Sequence, residues 1–226
     1  MAFTLDKFKI IYVYDALCGW CYGFSPVIRA IHEEYHDQFD FEVISGGMIT
    51  GSRTGPIDVV APYIKTAYKT VEDTTGIKFG EAFLVHLENG EMILDSEKPA
   101  IALSVFKSYI PDSAIEFAHD LQASIYYDGK DPNLDEIYRY LAVNFGIDPD
   151  EFIYKMDLEE FKHAAYYDFA MTKQLKVNGF PALFLQNKDD HFYMLAKGYT
   201  DEQTLELRIE NVLKELSGAS NDSRSE

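Results

Sequence analysis

The chain has 226 residues, two cysteines and a formal net charge of −18, from 20 Lys and Arg against 38 Asp and Glu, with 47% hydrophobic and 15% aromatic residues. That apolar content excludes a disordered body, and so acidic a chain is ill-suited to nucleic acid or anionic membranes, which call for clustered Lys and Arg. No apolar run approaches the ~18–20 residues that span a bilayer, and two cysteines cannot staple a chain of this length as a disulfide scaffold.

The opening Met1–Lys7 segment lacks the basic start, apolar stretch and small-residue cleavage site of a secretion signal, so a cytoplasmic protein is expected. Lys9 to Tyr14 (Lys-Ile-Ile-Tyr-Val-Tyr) is β-branched and aromatic without Gly or Pro, and reads as a buried strand. Cys18-Gly19-Trp20-Cys21 follows, and then Val27, Ile28, Ile31 and Tyr35 at helical spacing. The cysteine pair therefore sits where a strand passes into a helix, and Pro26 should kink or restart that helix. Asp40 to Ser45, closed by Gly46-Gly47, is a second strand, giving the start of a βαβ unit with parallel strands.

Three chemistries use cysteines at this spacing: zinc, an iron–sulfur cluster and dithiol redox. A structural zinc needs four ligands and a cluster more thiolates than one pair supplies. Redox chemistry needs this pair alone, and the positive end of a helix stabilises a thiolate at Cys18. A second motif competes. His32-Glu33-Glu34-Tyr35-His36 matches HExxH of zinc peptidases, but no HxxGxxH element follows and the segment turns polar at Asp37-Gln38. No metal site is expected, and His86, His119, His163 and His191 are isolated in sequence.

From about residue 50 to 156 the chain shows no convincing strand. Helices are expected at 57–71, 78–87 and 97–109. Another carries Ala114, Phe117, Ala118, Leu121 and Ile125 on one stripe. Asn133 with Glu136 looks like a helix cap, with Gly146 as the stop; Pro149 opens a further helix at its first position, and Asp157 with Glu160 opens a long one. The many tyrosines here (126, 127, 138, 140, 166, 167) read as packing, some of them as lining a groove. Pro181 to Leu185 and His191 to Leu195 form a hairpin about a four-residue turn, Asn187–Asp190. The last helix should start at a Thr200–Gln203 capping box, bury Leu205, Ile209, Val212, Leu213 and Leu216, and stop at Gly218; residues 218–226 are then a disordered tail.

A strand, CxxC at a helix start, a long helical middle, and Val177-Asn178-Gly179-Phe180-Pro181 ahead of a hairpin and last helix resemble the thioredoxin fold with a helical insertion. This is the pattern of the DsbA family of thiol–disulfide oxidoreductases. Asp15-Ala16-Leu17-Cys18-Gly19-Trp20-Cys21-Tyr22 looks most like its FrnE-like branch, which is related to 2-hydroxychromene-2-carboxylate isomerases and kappa-class glutathione transferases. The resemblance implies an α/β fold with a central mixed sheet. Its units are residues 1–50 and 157–217, forming the thioredoxin-like part, and 51–156, forming the helical insertion. By position it makes Cys18 the nucleophile, Cys21 the resolving thiol and Pro181 the cis-proline facing them, with Phe180 and Trp20 as substrate contacts. Asp15 is placed to relay a proton to Cys21; otherwise it is a strand-end carboxylate in water.

Two features depart from the family: Gly-Trp between the cysteines, where Pro-His or Pro-Trp is usual, and Phe180 where Val or Thr is common. The expected activity is disulfide oxidoreductase or isomerase work on protein or small-molecule disulfides by a CGWC dithiol. No cofactor is expected beyond that dithiol, with glutathione open as co-substrate, and the protein is expected to be a monomer or homodimer. A glutathione-dependent transferase or chromene-carboxylate isomerase is the alternative, and a redox-sensing, chaperone-like binding module the second.

Overall fold

The computed structural model describes residues 8–222, with side-chain surroundings for residues 8–216; Met1–Lys7 and the end of the expected tail, 223–226, lie outside the described residues. Strand β1 (Phe8–Tyr14) is followed by helix α1 (Gly19–Tyr35) and strand β2 (Phe39–Ser45). A mostly helical stretch comes next: α2 (Ala61–Thr75), α3 (Glu81–Asn89), α4 (Glu97–Lys107), α5 (Ala114–Tyr126), α6 (Asp135–Asn144), α7 (Pro149–Met156) and α8 (Glu159–Gln174). The hairpin strands are Ala182–Gln186 and Phe192–Lys197, and the last helix is Glu202–Asp222.

The four long strands make one mixed sheet. The first strand lies between β2, which it meets in parallel with Tyr12 opposite Val43, and the first hairpin strand, which it meets antiparallel with Tyr12 opposite Leu183. Such a central strand is covered on both faces, which is why Ile10 to Tyr14 are all buried and read as a continuous apolar run. Alternation sorts these side chains. Ile11 and Val13 join Ile44, Ala182 and Phe184 beneath Met171 of α8 and Leu175 just after it, while Ile10, Tyr12 and Tyr14 enter the larger core with Phe24, Ile28 and Ile31 of α1. Each such burial is worth about 1.5–3 kcal/mol.

Helix α1 runs through Pro26 without a break. Proline removes the N–H that would bond the Tyr22 carbonyl, and the Ser25 hydroxyl takes over, donating to that oxygen at 2.8 Å.

Other expectations need correction. The stretch from 50 to 156 holds a small two-stranded sheet, Gly55–Pro56 against Ile93–Leu94, too short to leave a periodic signal. Asn133 does not cap α6; its amide donates to the Ile93 carbonyl and to Asp131, tying that helix to the small sheet. The long helix α8 opens at Glu159 without a side-chain cap, so the Asp157–Glu160 pairing is not made. The hairpin turn takes in His191, whose N–H, like that of Asp189, bonds the Asn187 side chain. At the last helix Asp201, not Thr200, accepts from the Thr204 N–H, at 2.9 Å. That helix passes Gly218 and ends at Asp222, so 218–222 is helix rather than tail. Asp148 caps α7 ahead of Pro149, accepting from the N–H groups of Asp150 and Glu151.

Gly80, at the start of α3, is pressed against the backbone. A methyl there would stand 1.8 Å from the Tyr127 carbonyl oxygen, and backbone cannot step aside as a side chain can. Gly80→Ala should lower the unfolding free energy by about 3 kcal/mol, read from the urea midpoint; a loss under about 0.5 kcal/mol would contradict this packing.

Candidate active site

The turn from β1 into α1 positions the dithiol. Cys18 is the N-cap of α1: its Sγ accepts from the Cys21 N–H at 3.2 Å, and its carbonyl starts the helical ladder, accepting from Tyr22 N at 3.1 Å. Both cysteines are free thiols. They are not equivalent. Cys18 keeps 6% of its surface exposed and lines a cavity of about 560 Å³, whereas Cys21 is fully covered. Burial, followed by contact with the Cys18 sulfur, pushes the Cys21 thiol well above the ordinary cysteine range.

The Gly-Phe-Pro segment faces this turn from the far end of the chain. The Phe180 carbonyl accepts from the Cys18 thiol at 3.7 Å, and the Phe180–Pro181 peptide is cis, with Pro181 buried. The Phe180 ring lies over Gly46, where an added methyl would fall 2.2 Å from it. The glycine that closes β2 is what makes room for this ring. Trp20 is half-buried, lines the cavity and packs 6.3 Å from the ring of Tyr199.

Asp15 is not a carboxylate in water. It is buried, and it accepts from Leu17 N at 3.0 Å, Met48 N at 2.7 Å and the Ser96 hydroxyl at 2.8 Å. Burial holds its carboxyl above the usual range, against the pull of these donors and of Arg53. Those three hydrogen bonds run to the structure around the dithiol rather than to either sulfur. They join the turn before Cys18, the loop after β2 and the start of α4. Gln122 of α5 adds a further tie, its amide donating to the carbonyls of Asp15 (3.1 Å) and Cys18 (3.4 Å).

The cavity opens beside Cys18 and is walled by Val60, Ile64, Tyr68, Phe79 and Tyr126 among others. Its charged lining residues are Arg53 and Lys173; Arg53 donates to the Gly47 carbonyl at 3.0 Å. In a chain of net charge −18, both charges at this cavity are positive. Sequence reasoning missed Gln122, Ser96, Arg53 and Lys173. Each comes from a segment far along the chain and carries no local motif. Of the groove-lining tyrosines expected, Tyr126 lines the cavity, while Tyr127, Tyr140, Tyr166 and Tyr167 are exposed.

His32 and His36 lie at the far end of α1, about 21 and 27 Å along its axis from Cys18. His32 packs edge-on against Phe41 at 4.8 Å, and His36 Nδ1 is 2.9 Å from the Glu33 carbonyl. Among the described residues no three His, Cys, Asp or Glu side chains are grouped so as to hold a metal ion.

The family model described as DSBA-like thioredoxin domain matches residues 9–210. The search of curated proteins returned no match. A putative protein disulfide isomerase from Nitrosomonas europaea superposes with a TM-score of 0.81 at 25% identity, covering 92% of this chain and 98% of its own. Cytosolic disulfide reductase DsbM from Pseudomonas aeruginosa gives a TM-score of 0.76 at 23% identity, covering 91% and 98% of the two chains; a second structure of it is with GSH. A 2-hydroxychromene-2-carboxylate isomerase gives 0.61 at 14% identity, covering 95% and 98%.

Proposed function

Because the chain belongs to the DSBA-like thioredoxin domain family, we propose that it is a thiol–disulfide oxidoreductase working through Cys18 and Cys21. The observation that carries this reading is the inequality of the two sulfurs: one caps a helix at the edge of a cavity, the other is sealed behind it. Cys18 attacks a disulfide from the cavity side, forming a mixed disulfide and releasing the first thiol. Cys21 then attacks the Cys18 sulfur, releasing the second thiol and leaving Cys18–Cys21 oxidised. Run backwards, the same steps oxidise a dithiol. The Phe180 backbone and Trp20 contact the substrate, and Pro181 holds the segment across from the sulfurs. Asp15 serves as an anchor of the active-site turn, its carboxyl bonded to Leu17, Met48 and Ser96 rather than to either sulfur.

The dithiol is the whole of the redox machinery, with glutathione as co-substrate; the GSH-bound DsbM structure supports that pairing. Arg53 and Lys173 favour anionic partners, glutathione included, and the apolar walls favour small disulfides as well as protein ones. We place the protein in the cytoplasm, as a monomer or homodimer, where a reducing environment favours reductase or isomerase work. Support for the compartment is the neighbour named a cytosolic disulfide reductase. Among the described residues no helix is long and apolar enough to cross a membrane.

Turnover tests the reading. The protein should reduce insulin or glutathione disulfide with a thiol donor, or reshuffle a scrambled disulfide protein. Absence of all three activities would overturn it and favour the binding-module alternative. The isomerase-like neighbour supports one second reading, a glutathione-dependent transferase or isomerase. Such activity should survive Cys21→Ala, since it needs no dithiol.

A further inference from the structure

The core behind the dithiol holds polar atoms that the fold leaves unpaired. Tyr12 Oη, Tyr14 Oη and Gln122 Oε1 are out of solvent and without a hydrogen-bond partner. Such an orphan is costly, so phenylalanine would serve the core better at either tyrosine unless its oxygen has a use. Gln122 at least spends its amide nitrogen on two carbonyls. Tyr14 interacts first with Asp15. Tyr12 stands under the first turns of α1. Its ring lies 5.8 Å from that of Phe24, which is three residues beyond Cys21 and on the same helix face. Tyr12 shares one buried cluster with Cys18 and Cys21, and burial first, then those two sulfurs, push its phenol well above the ordinary range.

We propose that Tyr12 is the hydrogen-bond donor that the Cys21 thiolate acquires as it forms. This rests on the reading of Cys18 and Cys21 as a redox pair. In the resting dithiol the thiol keeps its own proton and is at most a weak acceptor for the phenol. When the mixed disulfide at Cys18 is resolved, Cys21 loses its proton to the departing thiolate, its sulfur bonds to Cys18 Sγ, and the bond from Cys18 to the substrate sulfur breaks. The tyrosine proton stays on its oxygen throughout and turns toward the negative sulfur. Tyr12 adds a side-chain donor to the one backbone donor beside Cys21, the Asp15 N–H. The other groups facing the sulfur give no help: Cys18 is tied up in the mixed disulfide, the Asp15 carboxyl disfavours charge, and Tyr14 on β1 and Tyr126 on α5 are buried phenols held in their neutral form.

The test uses 4,4′-dithiodipyridine in excess over the reduced protein, under single-turnover conditions. Attack by Cys18 releases the first thiopyridone and resolution by Cys21 the second, so the two steps appear as two absorbance phases. In Tyr12→Phe the first phase should stay within about twofold. The second should slow about tenfold at pH 7, as expected for one hydrogen bond to a charged group, and its pH midpoint should rise by about one unit. The melting temperature should hold or rise, because an unpaired hydroxyl has been removed. Tyr14→Phe should leave the second phase within about twofold. A second phase unchanged in Tyr12→Phe, equal slowing in both variants, or a Tyr12→Phe chain melting well below the native one would each overturn the assignment. A native chain with no second phase would instead overturn the dithiol reading itself.

Discussion

Cys18→Ser should abolish disulfide exchange, with a loss on the order of 10⁴-fold or more, while leaving the fold intact. The first half follows from chemistry. A serine hydroxyl is neither appreciably ionised nor nucleophilic toward sulfur, and removing a nucleophile removes the step rather than weakening it. The second half follows from position. Cys18 is the N-cap of α1 and its side chain accepts from the Cys21 N–H, a task serine performs at least as well. Cys21→Ser should behave differently. Cys18 still attacks, the mixed disulfide cannot be resolved from within, and a covalent adduct of protein and half-substrate accumulates. Intact-mass measurement after exposure to a small disulfide distinguishes the cases: one adduct on Cys21→Ser, none on Cys18→Ser. An active Cys18→Ser chain, or an adduct that forms only through Cys21, would reverse the proposed roles.

The largest effect on stability should come from Asp15→Ala. The carboxylate accepts three hydrogen bonds from buried or half-buried donors, the N–H groups of Leu17 and Met48 and the Ser96 hydroxyl. Deleting it strands all three. At about 1–3 kcal/mol each, with partial relaxation, the expected loss is about 3–5 kcal/mol, a large share of the ~5–15 kcal/mol typical of a folded chain. The pH dependence follows from the direction in which its carboxyl is shifted. Burial raises it above the ordinary value of 3.8, so the folded chain holds this proton at a pH where the unfolded chain has lost it. The group's contribution from this titration is therefore full below about pH 4 and declines as pH rises through the raised value. The deficit of Asp15→Ala, measured by urea unfolding, should widen between pH 7 and pH 4. A deficit that shrinks on acidification would mean the carboxylate is stabilised rather than strained by its burial.

Much of the architecture was legible from short stretches. The apolar run from Ile10 to Tyr14 could only be a covered strand, the residues after Cys21 repeat at helical spacing, and Asp148-Pro149 starts a helix where expected. The errors share a cause. Thr200 and Asp201 are both good caps, and Asn133 is as plausible a cap as Asp148; local pattern does not choose between adjacent candidates. Asn133 was drawn off by a carbonyl forty residues away, at Ile93. The two-residue strands at Gly55 and Ile93 exist only because tertiary packing brings them together. Pro26 was expected to disturb α1, and the neighbouring Ser25 hydroxyl repairs the missing bond.

For the site, the sequence alone supplied the reading on which the proposal rests: a lone Cys18/Cys21 pair at a helix start, with no thiols left for a cluster, points to dithiol chemistry. That is local information, carried by spacing and helix phase. The tertiary structure decided which sulfur faces the cavity, that Asp15 is an anchor and not a solvated carboxylate, that the cavity is apolar with cationic Arg53 and Lys173, and that Tyr12 lies unpaired beneath the pair. These depend on contacts across 81 residues from Ser96 to Asp15, 107 from Gln122 to Asp15 and 162 from Cys18 to Phe180. Burial and hydrogen-bond partnership are properties of the packed chain, and no pattern within a window of a few residues encodes them.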